Sequence, residues 1–347
     1  MDSKITKSRL SNFLSYEWIL MIVVAVLAIF GWELIYTTAA VRISDGQKFV
    51  YYYDKSVTGL NPNTFDQLLD DNDTFSYDIL YKAYEQMTDD TASGGYDVLT
   101  LRLTLPEGDA IFCDTAKDED TKMSRSNTLI DTYSIYDVDS LLKNAKIYLS
   151  ALLKDEFVTG SAEEIAETDI MLDYDNNLDE NKITDLFYTR LKGDNRLREG
   201  SISPENEKAR IKKLCEETAF FQKVLKFDET KTSEESIFYS YRKYEQAYTV
   251  YENKEDYKQA YENSTVKKYG LKIDALKNLY GKDGETEAKN NAENFFSIKS
   301  ERSLNGIIAL VFNFSNGNDG IYDLQFESIS FLNTIIRSFS VLESKVA

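Results

Sequence analysis

KFVYYY, residues 48–53, is β-branched and aromatic in character and stops at Asp54, Lys55 and Ser56, so it is expected to form a first strand. DAIFCD, residues 109–114, follows the turn residues Pro106, Glu107 and Gly108 and reads as a short apolar strand closing at Asp114. Between them, residues 59–75, GLNPNTFDQLLDDNDTF, are polar and rich in turn formers. From Phe75 onward Ile79, Leu80, Ala83, Tyr84 and Met87 recur at three- and four-residue spacing, which predicts an amphipathic helix ending at the TDDTASGG breaker, residues 88–95. YDVLTLRLTL, residues 96–105, alternates and predicts a further strand. After the polar loop TAKDEDTKMSRSN, residues 115–127, one helical face carries Leu142, Ala145, Leu149 and Leu152. Strand, helix, strand, strand, helix predicts an α/β lobe over residues 41–154.

Residues 155–300 read as a mostly helical second lobe. Ser203 followed by Pro204 is a helix start, with the hydroxyl as cap and proline at the first helical position. Ile211, Leu214, Cys215, Phe221 and Leu225 form its buried stripe. Residues 233–263, SEESIFYSYRKYEQAYTVYENKEDYKQAYEN, predict a second, tyrosine-rich helix. In residues 301–347, GIIALVFNF (306–314) has the continuous apolar run of a buried strand. A closing helix follows, carrying Leu324, Ile329, Leu332, Ile335, Ile336 and Phe339, and strand and helix are expected to pack back on the first lobe.

Upstream of the first strand, WILMIVVAVLAIFGW runs from Trp18 to Trp32 without a charge, and Leu34 to Tyr36 extend it past Glu33. Residues 18–36, about 19 in all, make one bilayer span at roughly 1.5 Å per residue. Trp18, Trp32 and Tyr36 stand where interfacial aromatics belong. A buried core helix is rarely so uniformly apolar or so close to a basic terminus. Lys4, Lys7 and Arg9 precede the span and Arg42 and Lys48 follow it, the arrangement of a signal anchor with residues 1–17 cytoplasmic and 41–347 outside. Thr38, Ala39 and Ala40 also offer a small-residue cleavage site, so a retained anchor and a removed signal peptide are both open. No cysteine follows the span directly.

Lys4, Lys7 and Arg9 cancel Asp2, Glu17 and Glu33, so the whole net charge of −19 belongs to residues 41–347. A field of that sign repels phosphate backbones and argues against a nucleic-acid partner. Histidine is absent from all 347 residues, which excludes His-dependent triads and HExxH zinc sites. No GxSxG elbow, P-loop or GxGxxG fingerprint occurs, and paired carboxylates carry no signal among 59 acidic residues. The expected work is noncovalent recognition, not catalysis, with no cofactor.

Asp173, Asp175, Asn177 and Asp179 in LDYDNNLDEN place oxygen ligands at alternate positions, as calcium loops do. Leu178 and Thr184 stand where such a loop needs glycine and a bidentate glutamate, so a solvated acidic loop is the competing reading. Tyr241, Tyr244, Tyr248 and Tyr251 share a helical face, which Tyr257 and Tyr261 extend. Those rings either pack the helix on the core or grip a sugar or peptide, with Tyr241 and Tyr244 as candidates for the second role. Cys113 and Cys215 look like small buried hydrophobes, with a disulfide as the alternative outside the cell.

One N-terminal apolar segment, FVYYY, DAIFCD with its following loop, the helix SLLKNAKIYLSALL, a helical middle and a returning strand with a closing helix together resemble the extracellular solute-binding proteins of bacterial ABC importers. The resemblance is one of element order over residues 48–345. It implies a two-lobed α/β ectodomain, hinged around a small ligand such as a sugar or peptide, beside an importer. Ligand groups would then come from strand ends, here Tyr53, Asp54 and Asp114. The chain departs from that family in lacking a lipobox cysteine and any tryptophan outside the membrane segment. A structural or partner-binding envelope protein, docking through the tyrosine-rich helix, is the rival reading.

Overall fold

The computed structural model describes residues 18–39, 45–54, 62–87, 108–117, 124–243, 265–279, 306–313 and 324–339, with a few single positions between them. Six strands form one mixed sheet in the order β2-β1-β3-β6-β5-β4, with β1 Lys48–Asp54, β2 Tyr81–Met87, β3 Ala110–Asp114, β4 Phe238–Tyr241, β5 Lys267–Lys272 and β6 Ile307–Val311. β1 is parallel to β2, from Lys48↔Tyr81 to Asp54↔Met87, and parallel to β3 from Tyr51↔Ala110. β6 returns antiparallel to β3, pairing Asp114 with Ile307, and β5 and β4 continue the antiparallel half.

Helices cover both faces, which is why β1, β3 and β6 read as unbroken apolar runs. Phe49, Tyr51, Tyr53, Phe112, Ala309 and Val311 face one layer, made of α2 (Pro62–Asp71), α4 (Val138–Ser150), α9 (Pro204–Asp228) and α10 (Leu324–Phe339). Val50, Tyr52, Ile111, Cys113, Ile308 and Leu310 face the other, under α3 (Arg125–Thr132). A third cluster lies among helices alone: α4, α9, α5 (Ala162–Ala166), α6 (Tyr174–Asn177) and α7 (Glu180–Arg190) pack Leu149, Met171, Ile183, Leu214 and Phe326. A short α8 (Asn195–Glu199) precedes α9, and Ser203 and Asn206 close a capping box at the α9 start that the Ser-Pro pair predicts.

The structure corrects four local readings. The helix expected from Phe75 is instead β2, because seven residues of pairing to β1 outweigh a short apolar period; Tyr84 turns toward Tyr51 and Tyr53, and Met87 toward the opposite face. Residues 62–71, expected as turns, form α2, with Pro62 at its start and Phe65 and Leu69 four apart on its buried side. In the expected strand 96–105, Leu99, Arg102 and Leu103 are helical, and Leu99 and Leu103 pack four apart on the α3 face. The tyrosine-rich segment begins as β4 and not as a helix, since Ile237 and Phe238 are buried against the sheet. Tyr244, Tyr248, Tyr251, Tyr257 and Tyr261 lie outside the described residues.

β4 and β5 come from the segment expected to be a helical lobe, so strands from both sides of residue 154 enter the same sheet. α1 runs Trp18–Ala39, with its side chains described as far as Glu33. Among the described residues no helix is long and apolar enough to cross a membrane.

Candidate functional site

β1 and β3 are adjacent and parallel, so their carboxyl ends bring Asp54 and Asp114 to one rim of the sheet. Asp54 is buried and held on both oxygens: Oδ1 accepts the Ser56 N–H at 3.0 Å and Oδ2 lies 2.7 Å from Arg125 Nε. Ser56 links the two strand ends, because its Oγ also accepts the Asp114 N–H at 3.2 Å. Asp114 Oδ1 accepts the Ala116 N–H at 2.6 Å, which turns the chain away from the sheet. Gly306 closes the rim, donating its N–H to Asp274 Oδ2 at 3.3 Å and accepting that of Thr115 at 2.7 Å. Its φ of +83° suits glycine, and a Cβ there would come within 2.8 Å of Thr115 Oγ1 and 3.0 Å of Asp114 Oδ1.

The rim therefore offers carboxylates fixed by backbone N–H groups, hydroxyls, and one guanidinium held by Asp54, a set suited to hydrogen-bonding a polar molecule. Among the described residues its one thiol, Cys113, is not activated. Burial, with the Asp54 carboxylate adding to it, pushes the Cys113 thiol well above its ordinary range, and a protonated thiol does not attack.

Tyr53 points to the face opposite Asp54, the face on which Asp114 alternates, and is taken up there by Tyr84, stacked at 6.0 Å between ring centroids; its burial lifts the hydroxyl pKa to about 12. Tyr241 lies at the other end of the sheet on the outermost strand, stacked on Tyr239 at 6.4 Å and donating its hydroxyl to Asp131 at 2.7 Å. Tyr244 is outside the described residues. The structure thus unites Asp54 and Asp114 but not the tyrosines expected beside them.

The four calcium candidates do other work. Asp173 caps α6 by accepting the Asn176 N–H, Asp179 caps α7 by accepting the Asn181 N–H, and Asn177 donates to Ile170 O at 2.8 Å. Asp175 lies 3.9 Å from Lys212 Nζ on the surface. Alternate spacing points side chains the same way only on an extended loop, and here the segment coils into a helical turn. Among the described residues no group of three or more acidic or thiol side chains is placed to hold a metal ion. On α1, Trp18 and Trp32 are 49% and 71% exposed; the Tyr36 backbone is helical.

Sequence reasoning missed Ser56 and Gly306, which sit in loops with no periodic signal, and Arg125 and Asp274, which open the short α3 and a 3₁₀ turn after polar stretches. It also missed a buried ionic cluster beneath the sheet. Arg190 Nη1 donates to Glu207 at 2.6 and 2.9 Å and Nη2 to Asp78 at 2.8 Å, while Tyr77 donates to Glu207 at 2.6 Å. A shallow pocket lined by Leu69, Asp70, Phe75, Ile79 and Lys82 flanks α2, but Lys82 is already held by Asp66 and Asp70 at 3.1 and 2.7 Å.

No family model, curated protein or solved structure matches this chain.

Proposed function

We propose that this chain is a membrane-anchored extracytoplasmic protein that recognises a small polar ligand, a sugar or peptide, noncovalently at the carboxyl ends of β1 and β3. The observation that carries the ligand end is that Asp54 and Asp114 end adjacent parallel strands, with Ser56 from the following turn and Arg125 from the start of α3 held against them, at the rim where open α/β sheets bind ligands. The anchor rests on α1. Its apolar side chains from Trp18 to Trp32 are exposed around the helix, an arrangement that water penalises and acyl chains do not. Leu34 to Tyr36 complete the span, with residues 1–17 cytoplasmic and 41–347 outside.

Of the two-lobed layout that the solute-binding resemblance implies, the reading keeps a sheet-bearing body and a helical body with its own core around Met171 and Leu214. An ABC importer nearby is part of the same reading. Thermal unfolding of the protein against panels of sugars and peptides tests it, since a ligand bound only by the folded state raises the melting temperature. The rise should vanish in Asp114→Asn. A flat response to both panels overturns the ligand reading. Protease added to intact cells tests the topology: loss of the large domain supports it, and clipping of the leading tail alone reverses it.

The rival, an envelope protein docking through tyrosines, draws on the stacked Tyr239 and Tyr241 at the sheet edge. Deleting residues 244–264 should abolish partner capture while leaving the fold intact. A deletion reaching back to residue 236 would remove the buried Ile237 and Phe238 and test only stability.

A further inference from the structure

We propose that the end of the sheet opposite Asp54 and Asp114 rests on the bilayer surface, with Leu80, Tyr81 and Val266 seated among the lipid headgroups. This rests on the reading of α1 as the membrane anchor. Between Ala39, the last residue of α1, and Lys48, the first of β1, lie five residues and the 3₁₀ turn Asp45–Gln47. Five extended residues reach at most about 18 Å, and the turn adds about 6 Å. The amino end of β1 is thus held close to the point where α1 leaves the membrane, and β1 then runs about 23 Å away from it over seven residues.

Strand direction decides what else stands at that end. β2 is parallel to β1, and two antiparallel steps from β3 through β6 give β5 the same sense, so all three begin together. Leu80 donates its N–H to Gln47 O at 2.8 Å, directly beside the entry of β1, and Tyr81 pairs with Lys48. Val266 immediately precedes β5. These three residues are 43%, 47% and 51% exposed, and among the described residues beyond α1 only Val158 and Tyr188 are large apolar side chains as open. Four strand steps separate the two apolar points by about 19 Å, which makes two contacts on one plane.

Charge fits the same surface. Although the exported part carries −19, Lys48, Arg242, Lys243 and Lys267 collect at this end, because β4 finishes where β5 begins. Asp131, Asp137 and Asp194 also stand there, engaged by Tyr241, by Lys267 and by Arg196 at 2.7 Å each, Asp194 accepting from the Gln47 side chain at 3.0 Å as well. Lys48 thus stands beside Leu80 and Tyr81, and Arg242, Lys243 and Lys267 beside Val266, so each apolar point has a cation next to it to meet an anionic headgroup. The consequence for the proposed ligand site is its orientation: Asp54, Asp114 and Arg125 face away from the membrane.

The full chain reconstituted in vesicles of phosphatidylcholine and phosphatidylglycerol tests this. A fluorophore is placed at one introduced cysteine at a time, Leu80→Cys, Val266→Cys, Lys117→Cys or Val24→Cys; Cys113 and Cys215 are buried, so the parent chain serves as the unlabelled blank. Headgroup spin-labelled lipid should quench the labels at 80 and 266 and shift their emission to the blue, and should leave the label at 117, beyond the far end of β3, unchanged. Quenching at 24 by a spin label deep in the acyl chains with none at 80 or 266 overturns the proposal while the anchor stands. No quenching at 24 overturns the anchor and this proposal with it. Equal quenching at 117 and 80 overturns the orientation.

Discussion

Arg210 lies fully buried against Asp78, with Nε 3.0 Å from Asp78 Oδ2, and reaches two further acids, Glu207 Oε1 at 3.2 Å from Nη1 and Glu327 Oε1 at 3.7 Å from Nη2. Its guanidinium also stands over the Phe326 ring at 5.3 Å, so it joins the approach to β2, α9 and α10 at one point. Removing one partner of a buried ion pair leaves an uncompensated charge, at a cost of about 3–5 kcal/mol. Arg210→Met is therefore expected to lower the urea midpoint by that equivalent, and Arg210→Met with Asp78→Asn to recover part of it. Full stability in the single variant would show that the cluster does not hold these elements together.

The same cluster sets an acid limb. Burial alone would raise the Asp78 carboxyl pKa, but Arg210 and then Arg190 outweigh it and hold it below the ordinary value. A depressed folded pKa gives stability that is complete above the unfolded value, about 3.9, and lost as pH falls through the folded one. Unfolding free energy should fall below about pH 4, and Asp78→Asn should flatten that fall. An unchanged acid limb in the variant would contradict the assignment.

Phe331 on α10 centres the aromatic core, with its ring 5.2 Å from Phe49, 5.6 Å from Phe65, 6.0 Å from Phe112 and 6.1 Å from Tyr51. Phe331→Ala should cost about 3–5 kcal/mol and Phe331→Leu clearly less. Calorimetry on both variants checks the order.

Gly306 has no room for a side chain between Asp114 and Thr115 and adopts a left-handed backbone. Gly306→Ala should destabilise by about 1–3 kcal/mol, and it should weaken ligand binding at the Asp114 rim if that reading holds. Melting temperature with and without ligand separates the two effects.

Cys113 packs on the α3 face of the sheet and Cys215 in the helical cluster, and both are free. Native protein should resist alkylation, and denatured protein should take two labels without prior reduction. One label or none after denaturation would mean a disulfide or another modification.

The elements that were legible in the sequence are those whose signal is local. KFVYYY, DAIFCD and GIIALVFNF appear as β1, β3 and β6 because strands covered on both faces need unbroken apolar runs. The start of α9 was legible from Ser203 and Pro204, which act within one turn. β2 was not, because its seven residues carry a helical spacing and become a strand only by pairing with β1.

For the candidate site, the sequence determined that Asp54 and Asp114 end apolar strands, and nothing in it told that those strands are neighbours. Sheet order did, and with it came Ser56 and Gly306 from loops without period and Arg125 from the first turn of α3. The same order placed Tyr241 at the other rim, because antiparallel strands end at opposite rims, while alternation along β1 turned Tyr53 away from Asp54. Composition alone excluded histidine chemistry, since an absent side chain needs no fold to be absent. Which charges meet, as where Asp78 meets Arg190 and Arg210, depends on contacts over more than a hundred residues of chain, and only the folded molecule decides those.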